Sequence, residues 1–202
     1  MFHTPKHLAD INARRRTLAP YFGLGFRRTT LDSRIFQEVV DHFLRHKDRF
    51  FLEQNIPYVQ TIKKNYSPAL LVGDSAFNQQ FLRELKFLHE EWSGMELKEA
   101  ACYGIRVYQP GSYLFNHVDR TETHIISSTI CVAHHLTKPW PLYIEDIDGH
   151  PHEISMEPGD IVFYEGAKLM HGRPYPLEGR FYAGLFLHYT PVKGDGSVTE
   201  LP

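Results

Sequence analysis

Cysteine is nearly absent from this chain, with two residues, Cys102 and Cys131, in 202. That excludes a zinc site built on four thiolates and any disulfide framework. Both lie in apolar runs, EAACYGI and STICVAH, where a free thiol behaves as a small buried hydrophobe. An excess of one charge is missing too. The formal net charge is −2, from 22 basic and 24 acidic side chains, so the overall balance does not call for nucleic acid or a membrane surface as partner. The compact cationic cluster Arg14-Arg15-Arg16 reads as solvated. No apolar run approaches the ~20 residues that span a bilayer, and MFHTPKHLADINARRR has no apolar segment of a secretory signal. A cytoplasmic protein without membrane attachment is expected.

What the chain has in quantity is histidine, 13 residues, and aromatic side chains, 13% of the total. The abundance of histidine weakens any single histidine motif as evidence. A hydrophobic fraction of 42% against 23% charged is ordinary for a globular protein, and 202 residues suffice for one domain with a sizeable core. Residues 1–30 show no clean period. In LDSRIFQEVVDHFLRHKDRFF, Phe36, Val39, Val40, Phe43 and Leu44 share a helical face behind a cap at Asp32 or Ser33. A second helix, capped by Asp74 or Ser75, carries Phe77, Phe81, Leu85, Leu88 and Trp92 at helical spacing before Gly94 ends it. That stripe reads as core packing. Between the helices, PYVQTI and PALLVG read as short strands.

Beyond residue 96 short β-type runs alternate with turn signals: ACYGIRVYQPG, HIISSTICVAHHL, PLYIEDIDG, HEISMEPGD, IVFYEGAKLMHG and RFYAGLFLHYTP. Asp148-Gly149 marks a hairpin and EPGD at 157–160 another turn. This punctuation predicts a sandwich or jelly roll. The fold class is therefore mainly β with N-terminal helices (α+β). A single domain, 1–202, is expected to divide into a helical support with short strands (1–95), a jelly-roll, cupin-like core (96–192) and a frayed tail (193–202).

The window NHVDRTETH holds His117, Asp119, Glu122 and His124. An H-x-D triplet is weak alone, since chance supplies about 0.6 matches in a chain of this composition. The sequence has its own control in His46 and Asp48, assigned to the first helix, where residues two apart face different sides. His117 and Asp119 instead enter the β region, where i and i+2 point the same way. Both could reach one metal ion, with His124 and Glu122 as supporting residues. Two histidines and one carboxylate make the facial triad of non-haem iron sites, which leaves coordination positions open. The third ligand must come from a distant strand, among His134, His135, His150, His152, His171 and His188. His171 is the best placed, at a strand end before a glycine and a proline-containing loop. His150 and His152 flank the expected hairpin tip, where exposure is the better reading. Arg180 opens the strand after that loop, nine residues past His171. A buried arginine there would suit a dicarboxylate co-substrate, since it binds carboxylate bidentately and stays charged.

An H-x-D, a distant histidine and an arginine nine residues later resemble the pattern of the iron(II)- and 2-oxoglutarate-dependent dioxygenases. RVYQPGSYLFNHVD with EPGDIVFYEGAKLMHGRPYPLEGR is similar to their prolyl 4-hydroxylase-like branch, over about residues 100–190. The resemblance implies a double-stranded β-helix in which His117, Asp119 and His171 bind Fe(II) and Arg180 holds the distal carboxylate of 2-oxoglutarate. Tyr108 matches a tyrosine that lines the cofactor pocket. Where some relatives carry a second hydroxyl for that carboxylate, this chain offers Cys131, with Thr129 and Ser127 on the same face, and Thr129 is the hydroxyl candidate for the cofactor site. Position 186 is Phe, so the second downstream arginine of nucleic-acid demethylases is missing, which argues against nucleic acid as substrate. The implied reaction couples decarboxylation of 2-oxoglutarate by O2, giving succinate and CO2, to hydroxylation of an unactivated C–H bond. Ascorbate is a candidate reductant. The substrate implied is a prolyl residue in a peptide or protein, with a small molecule as the alternative. From a different class, a cupin-like barrel that binds metal or ligand without catalysis is also carried.

Overall fold

The computed structural model describes residues 13, 24–52, 59–61, 69–71 and 75–192. The tail at 193–202, the Arg14–Arg16 cluster and the cap candidate Asp74 lie outside them.

Helix α1 (Ser33–His46) starts where the Asp32 carboxylate accepts the backbone N–H groups of Arg34 at 2.9 Å and Ile35 at 3.4 Å. Two donors that the first helical turn cannot satisfy internally are thereby paired. Val39 and Phe43 are buried as the spacing predicts, whereas Leu44 is 52% exposed and lies outside the buried face. The helix ends at His46 with Asp48 in the following turn, so that H-x-D straddles a helix end instead of lying within a helix.

The single helix expected after residue 74 is two, α2 (Ser75–Glu84) and α3 (Lys86–Ser93). Leu85 between them has φ −94°, ψ −2° and no exposed surface, so the chain turns at a side chain anchored in the core. Gly94 closes α3 in the left-handed conformation, φ 67°, its N–H donating to the Glu90 carbonyl at 2.8 Å.

Twelve strands are described: β1 (Phe26–Thr30), β2 (Phe50–Leu52), β3 (Val59–Thr61), β4 (Ala69–Leu71), β5 (Leu97–Tyr108), β6 (Ser112–His117), β7 (Ile126–Leu136), β8 (Leu142–Glu145), β9 (Pro151–Ile154), β10 (Asp160–Glu165), β11 (His171–Arg173) and β12 (Gly179–Pro191). They form a seven-stranded antiparallel sheet, ordered β1-β10-β7-β12-β5-β4-β2, and a five-stranded one, β3-β6-β11-β8-β9.

Strand periodicity separates two cores. Ile105 and Val107 of β5, Ile126, Ile130 and Val132 of β7, and Ala183, Leu185 and Leu187 of β12 pack with Val39, Phe43, Phe77 and Phe81 from the helices. Residues of opposite parity, Tyr108, Cys131 and Tyr182, pack instead with Trp140, Leu142, Ile144 and Met156. This second core is the interior of the barrel. The arrangement is the double-stranded β-helix expected, with helices covering the larger sheet.

The β8–β9 hairpin turns at Asp148-Gly149 with Gly149 at φ 89°, and the 157–160 turn closes through Asp160 N–H to the Glu157 carbonyl at 2.9 Å. β1 left no trace in the sequence pattern because it is an edge strand, FRRTT, exposed along most of its length. Main-chain pairing with β10 and the Arg28–Asp160 ion pair at 2.7 Å hold it. No helix among the described residues is long and apolar enough to cross a membrane.

Candidate metal centre

β6 ends at His117 and β11 begins at His171, and antiparallel register makes the two direct partners. Their rings lie 4.6 Å apart. Asp119, two residues past β6, is fixed by its N–H donating to the Gly166 carbonyl at 2.8 Å. Its Oδ1 is 3.6 Å from His117 Nε2 and its Oδ2 is 3.7 Å from His171 Nε2. One donor atom from each residue lies within 4.8 Å of the others, a spacing that can hold one metal ion. The structure thus brings together the three residues selected from sequence.

The donor set fits a divalent cation. His117 Nδ1–H donates to the Phe115 carbonyl at 2.7 Å, and His171 Nδ1–H to the Leu169 carbonyl at 2.8 Å. Each bond commits the proton to Nδ1 and leaves the Nε2 lone pair facing the site. Burial lowers the His171 pKa to about 4, so this imidazole is neutral at neutral pH. Burial pushes Asp119 upward, but His171, His117 and His188 outweigh it and hold the carboxyl below its usual range. Two imidazole nitrogens and one carboxylate on a single side match a facial triad.

Behind Asp119 stand residues that the sequence offered in other roles, Ser127 on the co-substrate face and His188 as a third-ligand candidate, together with His124, expected as a supporting residue. Ser127 Oγ lies 3.4 Å from Asp119 Oδ2 and 2.9 Å from His188 Nδ1. His188 stacks on His124 at 3.7 Å, and His124 meets Tyr103 OH and Thr123 Oγ1 at 3.3 and 2.6 Å. His124 therefore supports the site through His188, while Glu122 is exposed. Gly166 is required sterically, since a Cβ there would overlap Asp119 Oδ2 and Ser127 Oγ. Nothing in the sequence around EGAK marks that contact.

The other residues singled out have separate fates. Tyr108 is fully buried, with its ring 5.1 Å from Trp140 and its hydroxyl 3.4 Å from Arg106 Nη1. Thr129 is 2% exposed and its Oγ1 has no hydrogen-bond partner. Arg180 is exposed, so the buried cation expected at that position is not there. The reason is positional: Arg180 is the second residue of β12, near its start, and the first buried residue of the strand is Tyr182. Among the described residues the buried arginine is Arg173, 4% exposed and beside the rings of Trp140 and Tyr182, while the buried Lys168 is paired with Glu165 at 3.3 Å. A sequence signal for it existed, because residues 171 and 173 are two apart in a strand and so share a face.

His150 is exposed and His152 half-buried at the β8–β9 hairpin. Asp146, Asp148 and His150 also come within ligating distance of one another. Asp146, however, accepts the N–H groups of Asp148 and His150 and lies 2.9 Å from His152 Nε2. Those bonds pin the hairpin.

No protein-family model matches the sequence, and no curated protein matches it at a significant level. Solved structures with the same fold do exist. The chain is similar to a prolyl-4-hydroxylase from Pseudomonas putida, with 15% identity and a TM-score of 0.59 over 91% of this chain and 100% of that one. It is also similar to a prolyl hydroxylase from Trichoplax adhaerens, in complex with a peptide fragment of the hypoxia-inducible factor oxygen degradation domain. That match has 13% identity and a TM-score of 0.59, covering 93% of each chain. A third is HygX from Streptomyces hygroscopicus with nickel, 2-oxoglutarate and hygromycin B bound, at 12% identity and a TM-score of 0.53, covering 94% of this chain and 88% of that one. At these identities the likeness establishes the fold, which is that of the Fe(II)- and 2-oxoglutarate-dependent oxygenases.

Proposed function

We propose that the protein is an Fe(II)- and 2-oxoglutarate-dependent dioxygenase that hydroxylates an unactivated C–H bond. The observation that carries this reading is the convergence of His117, Asp119 and His171 on one point inside a double-stranded β-helix. His117 and His171 would bind Fe(II) through Nε2 and Asp119 through a carboxylate oxygen. The metal, when bound, supplies activation of O2 coupled to decarboxylation of 2-oxoglutarate. The protein's part is ligation and shielding. The carbonyls of Phe115 and Leu169 keep the imidazoles in one tautomer, and Ser127 steadies Asp119. Tyr164, 4.6 Å from the His171 ring, packs in one buried cluster with Tyr108, Trp140 and Tyr182, which would shield a co-substrate from water. Tyr108 lines the co-substrate pocket in this reading, and the unpartnered Thr129 hydroxyl points to a polar ligand there.

For the substrate we infer a prolyl residue in a peptide or protein, on the strength of the prolyl 4-hydroxylase-like sequence text and the prolyl hydroxylases among the structures of similar fold. A small-molecule substrate is the second reading, supported by HygX, whose structure holds hygromycin B on the same fold. Succinate formation from 2-oxoglutarate with Fe(II), O2 and ascorbate tests the oxygenase reading, using proline-containing peptides in one arm and small molecules in the other. Stimulation by peptides supports the prolyl reading, and stimulation only by small molecules replaces it. No turnover and no iron binding would sink the oxygenase reading and leave a non-catalytic cupin-like barrel.

A further inference from the structure

The barrel interior holds a cation that the metal triad does not use. Arg173 follows His171 by two residues on β11, about 7 Å along an extended chain. Its Nη1 donates to the Trp140 carbonyl. Its Nη2 donates to the Tyr182 hydroxyl at 2.8 Å and meets Met156 Sδ at 3.7 Å. The guanidinium centre lies 4.7 Å from the Trp140 ring and 4.3 Å from that of Tyr182. Among the described residues no carboxylate pairs with it. A guanidinium does not give up its proton, so burial among neutral partners leaves its charge uncompensated until an anion arrives.

A second observation concerns the strand face that runs from the triad towards Arg173. Ser127, Thr129 and Cys131 alternate along β7 and share one face. Ser127 touches Asp119 at the metal end, and Cys131 touches the Tyr182 hydroxyl at the arginine end. Between them Thr129 Oγ1 is buried without a partner. The line from triad to arginine is thus polar at its middle and cationic at its far end.

We propose that Arg173, with the hydroxyls of Tyr182 and Thr129, receives the distal carboxylate of 2-oxoglutarate, the role that spacing alone assigns to Arg180. The proposal rests on the oxygenase reading and refines one subsite of it. A carboxylate in this cage neutralises the guanidinium and gives the Thr129 hydroxyl an acceptor. Tyr182 accepts from Arg173 and donates to Met156 Sδ at 3.7 Å, a long bond to a poor acceptor that a carboxylate would replace. Arg180, which is exposed, lacks this enclosure.

The test is calorimetric binding to the Mn(II)-loaded protein under nitrogen, comparing 2-oxoglutarate with 2-oxopentanoate, which has the same carbon chain without the distal carboxylate. Wild type should prefer 2-oxoglutarate by roughly 10- to 100-fold, the usual scale of a hydrogen-bonded charge pair. Arg173→Met should abolish the preference, Arg173→Lys should retain part of it, and Arg180→Met should leave it intact. Circular dichroism checks that each variant is folded, and Arg173→Lys carries the test if Arg173→Met is not. Loss of the preference in Arg180→Met, or its full retention in either Arg173 variant, overturns the assignment and spares the oxygenase reading. Failure of the metal-loaded wild type to bind either acid overturns both.

Discussion

At the scale of single residues, the site depends on who holds Asp119. Its carboxylate is one metal ligand, and its position is set by the Gly166 carbonyl, Ser127 and the absence of a side chain at 166. Asp119→Ala and His171→Ala should each abolish turnover and metal binding, read by Fe(II) titration and by succinate formation. Wild-type activity in either removes that residue from the site. Gly166→Ala should push the carboxylate off its position and weaken metal binding roughly 10- to 100-fold, the scale of losing a group that orients a ligand. Unchanged metal affinity with an intact fold would show that Asp119 tolerates the displacement. His117, Asp119 and His171 could be picked out from spacing because His117 and His171 sit at strand ends and Asp119 follows His117 by two residues in the chain leaving β6. Gly166 could not, because its role is a close approach between two loops.

At the scale of elements, the helices are joined to the large sheet by a buried histidine. On α3, His89 Nδ1–H donates to the Leu85 carbonyl at 2.7 Å, and Nε2 lies 2.9 Å from Ser128 Oγ on β7. Burial lowers its pKa to about 4. The unfolded chain, with an ordinary imidazole, takes up a proton between about pH 6.5 and 4 that the folded chain refuses. Stability should therefore fall as pH drops through that window, by about 3 kcal/mol from this group once both forms are protonated. Urea unfolding of the metal-free protein at pH 7 and pH 4.5 measures it. His89→Gln should reduce the difference but not remove it, since His171 is lowered to about 4 as well, and an unchanged pH slope in that variant would assign the effect elsewhere. The cap of α1 is a simpler case. Asp32→Ala should cost about 1 kcal/mol in the same measurement, the usual value of an N-cap side chain. The cap and the apolar stripe of α1 were both legible locally. The break at Leu85 was not, because the heptad-like spacing of Phe77, Phe81, Leu85, Leu88 and Trp92 is the same for one helix or two. Contact with the sheet decides where the chain turns.

At the scale of the whole molecule, metal binding and folding should be linked, since the three ligands come from two segments some fifty residues apart in sequence and meet only in the folded sheet. Adding Mn(II) at ~100 times its Kd should stabilise wild type by about 2.7 kcal/mol, seen as a rise in Tm, with no rise in Asp119→Ala. An equal rise in both would place the ion outside the triad. The sequence by itself determined the class of fold, two helices' worth of apolar stripe, the turns at 148–149 and 157–160, and the three ligand candidates. All of these are periodicities or short-range patterns, which a strand or helix imposes on its own residues. Tertiary structure alone decided that an exposed edge strand at 26–30 closes the large sheet, that His188 and Ser127 stand behind Asp119, and which arginine is inside. Arg180 and Arg173 are both strand residues of the right charge near the right histidine. Burial depends on where each lies in the closed barrel, and that position exists only once two sheets have closed on one another.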